Sequence, residues 1–315
     1  MAVPNIPEIR ERGVGEIIDA SFKLMFRNFK AVIPFAAWII LPFQLISSAV
    51  ISSAGPSLAD SLKEWSDATK ANPGTTIGAP KVTAAQIGAL AVAGVLSLLA
   101  TFVLQAAMTA YVGHLVLDGS VDRKATLRRA IKRSPVMLAN ALLIGLIAFV
   151  VLGAAVLSVV FLKAVGFLIV LPAGVFIFWL VIRFSSSYPP IMLENAGPIA
   201  ALRRSFFLTR GNFWKVLGAL LVGGLITSIA SITINSSLTA ALSSLGGSNR
   251  GFEFLWSAVA GTVSTCLTAP FNAAIGVFLY FDMRVRREGF DLERLANDLG
   301  RGALPTLPPP DNRIL

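Results

Sequence analysis

Apolar positions recur along this chain in two registers. Six long stretches are apolar almost throughout: about 31–54, 83–117, 135–162, 167–183, 213–242 and 253–281. A helix crossing the ~30 Å hydrocarbon core of a bilayer takes roughly 17–25 residues, so each stretch is predicted to be a membrane span. Three shorter segments carry apolar residues on one side only. Ile18, Phe22, Met25 and Phe29 align with Leu127, Ile131, Ser134 and Leu138, and again with Leu202, Phe206, Thr209 and Phe213. That spacing lays one stripe along a helix. Basic residues lie off the stripe: Lys23, Arg27 and Lys30, then Arg128, Arg129, Lys132 and Arg133, then Arg203, Arg204 and Arg210. A span follows each segment. The pattern therefore predicts an all-α, polytopic membrane protein whose six transmembrane helices form three repeats of interfacial amphipathic helix plus transmembrane hairpin. The repeat units cover about 14–117, 122–194 and 198–285, within a single domain over 1–295.

Breakers and polar stretches mark the connections. Residues 55–82 read as a polar loop, with a short helix near Leu58–Lys70. Pro34 and Pro42 lie within the first span, where kinks are tolerated if neighbours satisfy the freed carbonyls. The second span would be about 50 Å long at 1.5 Å per residue, so it tilts or projects. Its four-residue series Ala85, Ala89, Ala93, Ser97 suits close helix contact. Lys163 to Gly166 leaves room only for a tight turn, making spans three and four antiparallel neighbours. Pro189-Pro190 ends or breaks the fourth span. Residues 243–252 read as a Ser/Gly-rich loop, and the Pro-rich tail 296–315 as disordered and cytoplasmic.

Composition sharpens the class. Of 315 residues, 55% are hydrophobic and 14% charged, well below the charge of a soluble domain. One cysteine, Cys266, precludes an intramolecular disulfide. The N-terminal residues lack the apolar core of a cleavable signal, so the first span is expected to act as an uncleaved anchor. Of the 27 Lys and Arg, 22 fall on the side that holds the N-tail, the second and fourth interspan loops and the C-tail. This excess predicts that both termini are cytoplasmic.

Candidate chemistry is sparse. His114 is the sole histidine, expected in interfacial packing or a backbone hydrogen bond, with no acid relay in view. No phosphate-binding loop and no His/Cys/carboxylate metal cluster is visible, so no cofactor and no catalytic residues are expected. Two polar stripes run through the last two spans: Thr227, Ser231, Asn235 and Thr239, then Gly261, Thr265, Thr268, Asn272 and Gly276. Thr227, Ser231, Asn235, Thr265 and Asn272 line either a small polar cavity or a packing face held by interhelical hydrogen bonds.

The exit of the sixth span is densely charged from Tyr280 to Glu293, with Arg284, Arg286 and Arg287 beside Asp282 and Glu288. Asp282 is one turn from Arg286 and within reach of Arg183, which alternatively snorkels to the interface. This junction, Gly15-Glu16-Ile17-Ile18-Asp19-Ala20 with Arg27-Asn28-Phe29, Leu193-Glu194, Ala201-Leu202-Arg203-Arg204-Ser205 and Gly211-Asn212-Phe213-Trp214 carry a family likeness. The chain resembles the membrane domain fused to some bacterial glycerophosphodiester phosphodiesterases, and related stand-alone bacterial membrane proteins. The resemblance implies a multi-span helical domain of the bacterial inner membrane. It does not imply phosphodiesterase activity, which resides in a separate barrel with a His-Arg motif absent here. The expectation is a non-enzymatic scaffold that binds anionic lipid or a partner membrane protein, and no nucleic acid, through a basic cytoplasmic face. Its contacts would be Lys23, Arg27, Arg128, Arg129, Arg203, Arg204, Arg210, Arg284, Arg286 and Arg287. The alternative is a small transporter or lipid-handling protein that uses the polar face of spans five and six.

Overall fold

The computed structural model describes residues 10–53, 58–71, 83–246, 250–293 and 296; the Pro-rich tail lies outside them. Every regular element among the described residues is an α-helix: α1 (Val14–Arg27), α2 (Phe29–Ser53), α3 (Leu58–Ala71), α4 (Ala84–Asp118), α5 (Arg123–Leu162), α6 (Ala164–Phe184), α7 (Tyr188–Leu193), α8 (Pro198–Thr209), α9 (Phe213–Gly246) and α10 (Arg250–Glu288). Six of the helices are long and apolar enough to cross a membrane.

The core is built around α10. Its most apolar window is 61% buried, against 6% for α5, so α10 is the hub and α5 lies at the periphery. From Val277 to Met283 every α10 residue is buried, because α1, α2, α4, α7, α8 and α9 all pack on this helix. A helix apolar on all sides needs such neighbours. Phe35 against Tyr111 and Phe22 against Phe271 fill the seams. α5 and α6 form a hairpin held to the bundle chiefly through α4 and the short α7 and α8. Its outward side chains, among them Phe149, Phe161, Leu168 and Leu171, are exposed apolar surface suited to lipid. Lys163, at φ 52°, is the whole turn between the two helices.

Local chemistry explains the breaks. Asn28 separates α1 from α2: its amide Nδ2 donates to the Leu24 carbonyl at 2.9 Å, and its carbonyl accepts from Val32 at the start of α2. Asn212 stands at the aligned position before α9, and its carbonyl accepts from Val216 at 3.0 Å. Here the turn is made by Gly211 at φ +86°, a conformation glycine adopts without strain.

The second basic segment behaves differently. It was expected as a helix apart from the third span, but it forms the opening turns of the single 40-residue α5. Pro135 does not break that helix. A proline removes the hydrogen bond to the carbonyl four residues back, and the Ser134 hydroxyl donates to that Ile131 carbonyl at 3.1 Å instead. At the position aligned with Asn28 and Asn212 stands Met137, fully buried within the helix.

The apolar stripes of α1 and α8 pack in part on the bundle, while Phe29 and Phe206 stay exposed. α1 buries Ile17, Ile18, Ser21, Leu24 and Met25 against the bundle, and α8 buries Ala201, Leu202, Ser205, Leu208 and Thr209. Both helices lie on the bundle end where α10 finishes. The small-residue series at the start of α4 is mostly exposed: only Ala93 of Ala85, Ala89, Ala93 and Ser97 is buried, and α4 packs through its second half.

Candidate functional site

The charged end of the bundle divides into three groups with different chemistry. The first centres on Asp282, whose side chain is fully buried. Oδ1 accepts from the Arg12 backbone N–H at 2.7 Å, Lys215 Nζ contacts Oδ2, and Arg286 Nε donates at 3.3 Å. An isolated buried carboxylate is costly, and three donors make this one tenable. Asp282 thereby joins the chain before α1, the start of α9 and its own helix. The expected pairing with Arg286 is present; Arg183 is not among its partners.

The second group is a closed network of two glutamates and two arginines. Arg204 Nε and Nη2 donate to Glu194 at 3.0 Å each, and Nη1 and Nη2 donate to Glu288. Arg284 Nε donates to Glu288 at 3.0 Å, and its guanidinium stacks on Phe290 at 3.7 Å. The Tyr280 hydroxyl donates to Glu194. Burial opposes the charge on Arg204, but the hydrogen bonds to Glu194 and Glu288 outweigh it and hold its pKa above that of a free arginine. Such fork-to-carboxylate pairs are the strong ones. They lock α8 and the α7 end onto α10. Sequence reasoning placed Arg204, Arg284 and Arg286 on the outward basic face. The structure engages all three in ion pairs: Arg204 and Arg284 are half-buried, and Arg286, though exposed, pairs with Asp282 and with Glu11 at 2.8 Å.

The third group faces outward. Arg128, Arg203, Arg210 and Arg287 are exposed and have no carboxylate partner among the described residues. Lys23 pairs one turn back with Asp19 at 2.7 Å. Arg27 is exposed at the end of α1. Arg129 is engaged: Nη1 donates to His114 Nε2 at 3.2 Å and Nη2 to Asn195 Oδ1 at 3.1 Å. Arg133 shares the same Asn195 oxygen at 3.0 Å. With Nε2 accepting, the His114 ring proton sits on Nδ1 and points to Asp118 Oδ2 at 3.0 Å. The histidine therefore does have an acid beside it, contrary to expectation. Its other nitrogen is taken by an arginine, so both ring nitrogens of His114 are engaged.

Arg183, in the last turn of α6, belongs to neither of the two carboxylate networks. Its guanidinium lies over the Trp179 ring at 5.2 Å and the Phe206 ring at 4.8 Å. Nε and Nη1 are buried and have no hydrogen-bond partner, as is the Ser186 hydroxyl one turn on. The Ser205 and Thr209 hydroxyls both donate to the Arg183 carbonyl, fixing α8 beneath this turn. A lone arginine one turn after a tryptophan at the end of a span is the signal that marks it in the sequence.

A cleft of about 270 Å³ opens between α4, the α6–α7 turn, α9 and α10. Its polar lining is Gln105, Thr109, Ser185, Tyr188 and Asn272, and its floor is small: Ala219, Gly223, Gly224 and Gly276. Of the candidate cavity residues, only Asn272 reaches it. Thr227 Oγ1 donates to the Gly223 carbonyl and Asn235 Nδ2 to the Ser231 carbonyl, each four residues back in the same helix. Those two bonds are intrahelical and do not cross to another helix. Thr265 is part-buried on α10 and lines no wall of this cleft. Gln105 carried no weight in the sequence because it is a single amide in a long apolar run. No family model, curated protein or solved structure matches the chain.

Proposed function

We propose that this protein is a non-enzymatic scaffold of the bacterial cytoplasmic membrane, with both termini cytoplasmic, that gathers anionic lipid on its basic face. The observation that carries this reading is the division of its arginines. One set is consumed in internal ion pairs; Arg128, Arg203, Arg210 and Arg287 stay exposed and uncompensated beside six spans. Each Lys or Arg near an anionic surface adds about 1 kcal/mol of attraction. An acidic surface on a partner membrane protein would meet the same residues. The resemblance to the membrane domain of glycerophosphodiester phosphodiesterases fits this reading, as does a three-unit repeat. The aligned Asn28 and Asn212 turns support the first and third units, and the second has fused its basic segment to its span.

The test is native mass spectrometry of protein extracted with its own lipids, with co-purifying proteins identified in parallel. Retained anionic phospholipid that is lost on combined charge reversal of Arg128, Arg203 and Arg210 supports the scaffold. A stoichiometric protein lost by the same change identifies a partner instead. Retention of neither sinks the reading.

A second reading, lipid handling within the membrane, rests on the cleft lined by Gln105 and Asn272. Asn272→Leu would fill its wall. Lipid or solute flux in proteoliposomes that falls in this variant supports that reading, and flux equal to protein-free vesicles removes it.

A further inference from the structure

Three features remain after the ion pairs have been assigned: the cleft, a surface hollow beside α1, and the surroundings of Arg183. The hollow beside α1 is lined by Arg10, Arg12, Glu16, Asp19, Lys23 and Arg27, and its two acids pair with Arg10 and Lys23. The surroundings of Arg183 are different.

Three arginines converge there without a carboxylate. Arg183 reaches from the last turn of α6, Arg210 ends α8, and Arg287 comes from the last turn of α10. The Thr209 hydroxyl donates to the Arg183 carbonyl, which brings the end of α8, and Arg210 with it, to this turn. Arg287 also lies over the α8–α9 turn, where its Nη2 is 2.8 Å from the point a Cβ on Gly211 would occupy. A side chain at Gly211 would displace that guanidinium, so glycine serves both the left-handed turn and the approach of Arg287. The Arg183 guanidinium lies over both the Trp179 and Phe206 rings, with Nε and Nη1 lacking any acceptor.

A cation stripped of part of its water, with two like charges beside it, is unfavourable unless an anion joins it. Arg204, Arg284 and Arg286 are compensated internally by Glu194, Glu288, Asp282 or Glu11. The Arg183 group is compensated by nothing among the described residues. Guanidinium forks match the oxygens of phosphate. The location selects the kind of phosphate. Trp179 and Trp214 flank the cluster on α6 and α9, and Trp214 is 80% exposed, as expected for tryptophans at headgroup depth. Ser185, just past the end of α6, and Ala219, on α9, line the cleft.

We infer that Arg183, Arg210 and Arg287 form a binding site for the phosphate of an anionic phospholipid headgroup. The site deepens the scaffold reading and rests on it, since it adds one defined position to a diffuse attraction. Arg183 is the anchor, and Arg210 and Arg287 close on the remaining oxygens.

The experiment is lipid titration of the full chain in neutral detergent, read by native mass spectrometry and by thermal stability. The probes are phosphatidylglycerol, phosphatidylcholine and inorganic phosphate. One phosphatidylglycerol should bind saturably, ahead of weaker binding events. Arg183→Gln should weaken that first event at least tenfold, and Arg210→Gln and Arg287→Gln severalfold each. Arg183→Lys keeps the charge but loses the fork, so it should also weaken the first event. Arg210 and Arg287 are exposed, so their variants report on the site even if Arg183→Gln fails to fold. Inorganic phosphate that competes with the lipid at millimolar concentration would assign the site to a soluble phosphate. Undiminished first binding in the Arg210 and Arg287 variants, or in Arg183→Lys, overturns the site. If Arg128→Gln and Arg203→Gln then weaken total lipid binding, the scaffold reading survives without it. If no variant changes binding, both fall.

Discussion

The Asp282 carboxylate accepts a hydrogen bond from the backbone N–H of Arg12 at 2.7 Å, across 270 positions of sequence. This bond ties the segment before α1 to the last turns of the central helix. Removing this carboxylate strands Lys215 and a backbone donor together and leaves Arg286 with Glu11 alone. Asp282→Ala is expected to destabilise the protein by about 3–5 kcal/mol, the range for breaking a buried ion pair. Limited proteolysis should show earlier cleavage near Arg10 and Arg12, and thermal unfolding in detergent should shift down. Unchanged proteolysis would mean that α1 is held by its apolar face alone.

Arg203 and Arg204 are adjacent in sequence and opposite in role. Arg204→Gln leaves Glu194 and Glu288 short of their main donor and should cost about 1.5–3 kcal/mol, typical of hydrogen bonds to charged groups. Arg203→Gln, on the exposed side, should stay within about 0.5 kcal/mol. Paired unfolding curves of the two variants check this. Equal losses would show that the bracing network contributes nothing specific.

The α5–α6 hairpin tolerates no extra atom at Gly166. A Cβ there would sit 2.3 Å from the Ser158 carbonyl oxygen and 2.5 Å from Val159 Cα, which are backbone atoms of the facing helix. Gly166→Ala is expected to cost about 1–3 kcal/mol by prising the two helices apart. Gly174, two turns further along α6, has open space at its Cβ position, so Gly174→Ala should be neutral or slightly stabilising. Thermal stability of the pair in one detergent distinguishes them.

The start of α1 should fray in acid. Glu16 Oε2 accepts from the Gly13 backbone N–H at 2.8 Å, and that bond, helped by Arg10, lowers the Glu16 pKa. A carboxylate with a depressed folded-state pKa contributes stability that is complete above its unfolded pKa. That contribution is lost as pH falls through the folded value. Hydrogen exchange at Ile17, corrected for the intrinsic rate, should therefore accelerate below the ordinary glutamate range. Glu16→Gln should remove this dependence, because a neutral amide oxygen accepts the same bond at any pH.

Much of the membrane architecture was legible because span length and hydropathy act locally. Residues 84–118 and 213–246 could hardly be anything but helices in a bilayer. The turns were partly legible too: Pro189-Pro190 opens α7 rather than continuing α6, and Lys163 alone joins α5 to α6. Pro135 misled for a specific reason. Its effect depends on whether a neighbour satisfies one carbonyl, and a single serine hydroxyl does so. The basic residues misled more deeply. Their spacing puts Arg203, Arg204, Arg284 and Arg287 at interfaces, but spacing does not tell that Arg204 meets Glu288, 84 positions away, while Arg203 and Arg287 meet neither glutamate. The division between bracing and free arginines is a product of tertiary packing.

Lys163 is the only ionisable side chain between Arg133 and Arg183. Together with its one-residue turn, this bears on how the chain enters the bilayer. Carrying the tip of the α5–α6 hairpin across moves a single charge, and the two helices satisfy their own backbone groups on the way. The pair is thus built to leave the insertion machinery as one preassembled unit, before α10 exists for the rest of the bundle to close around.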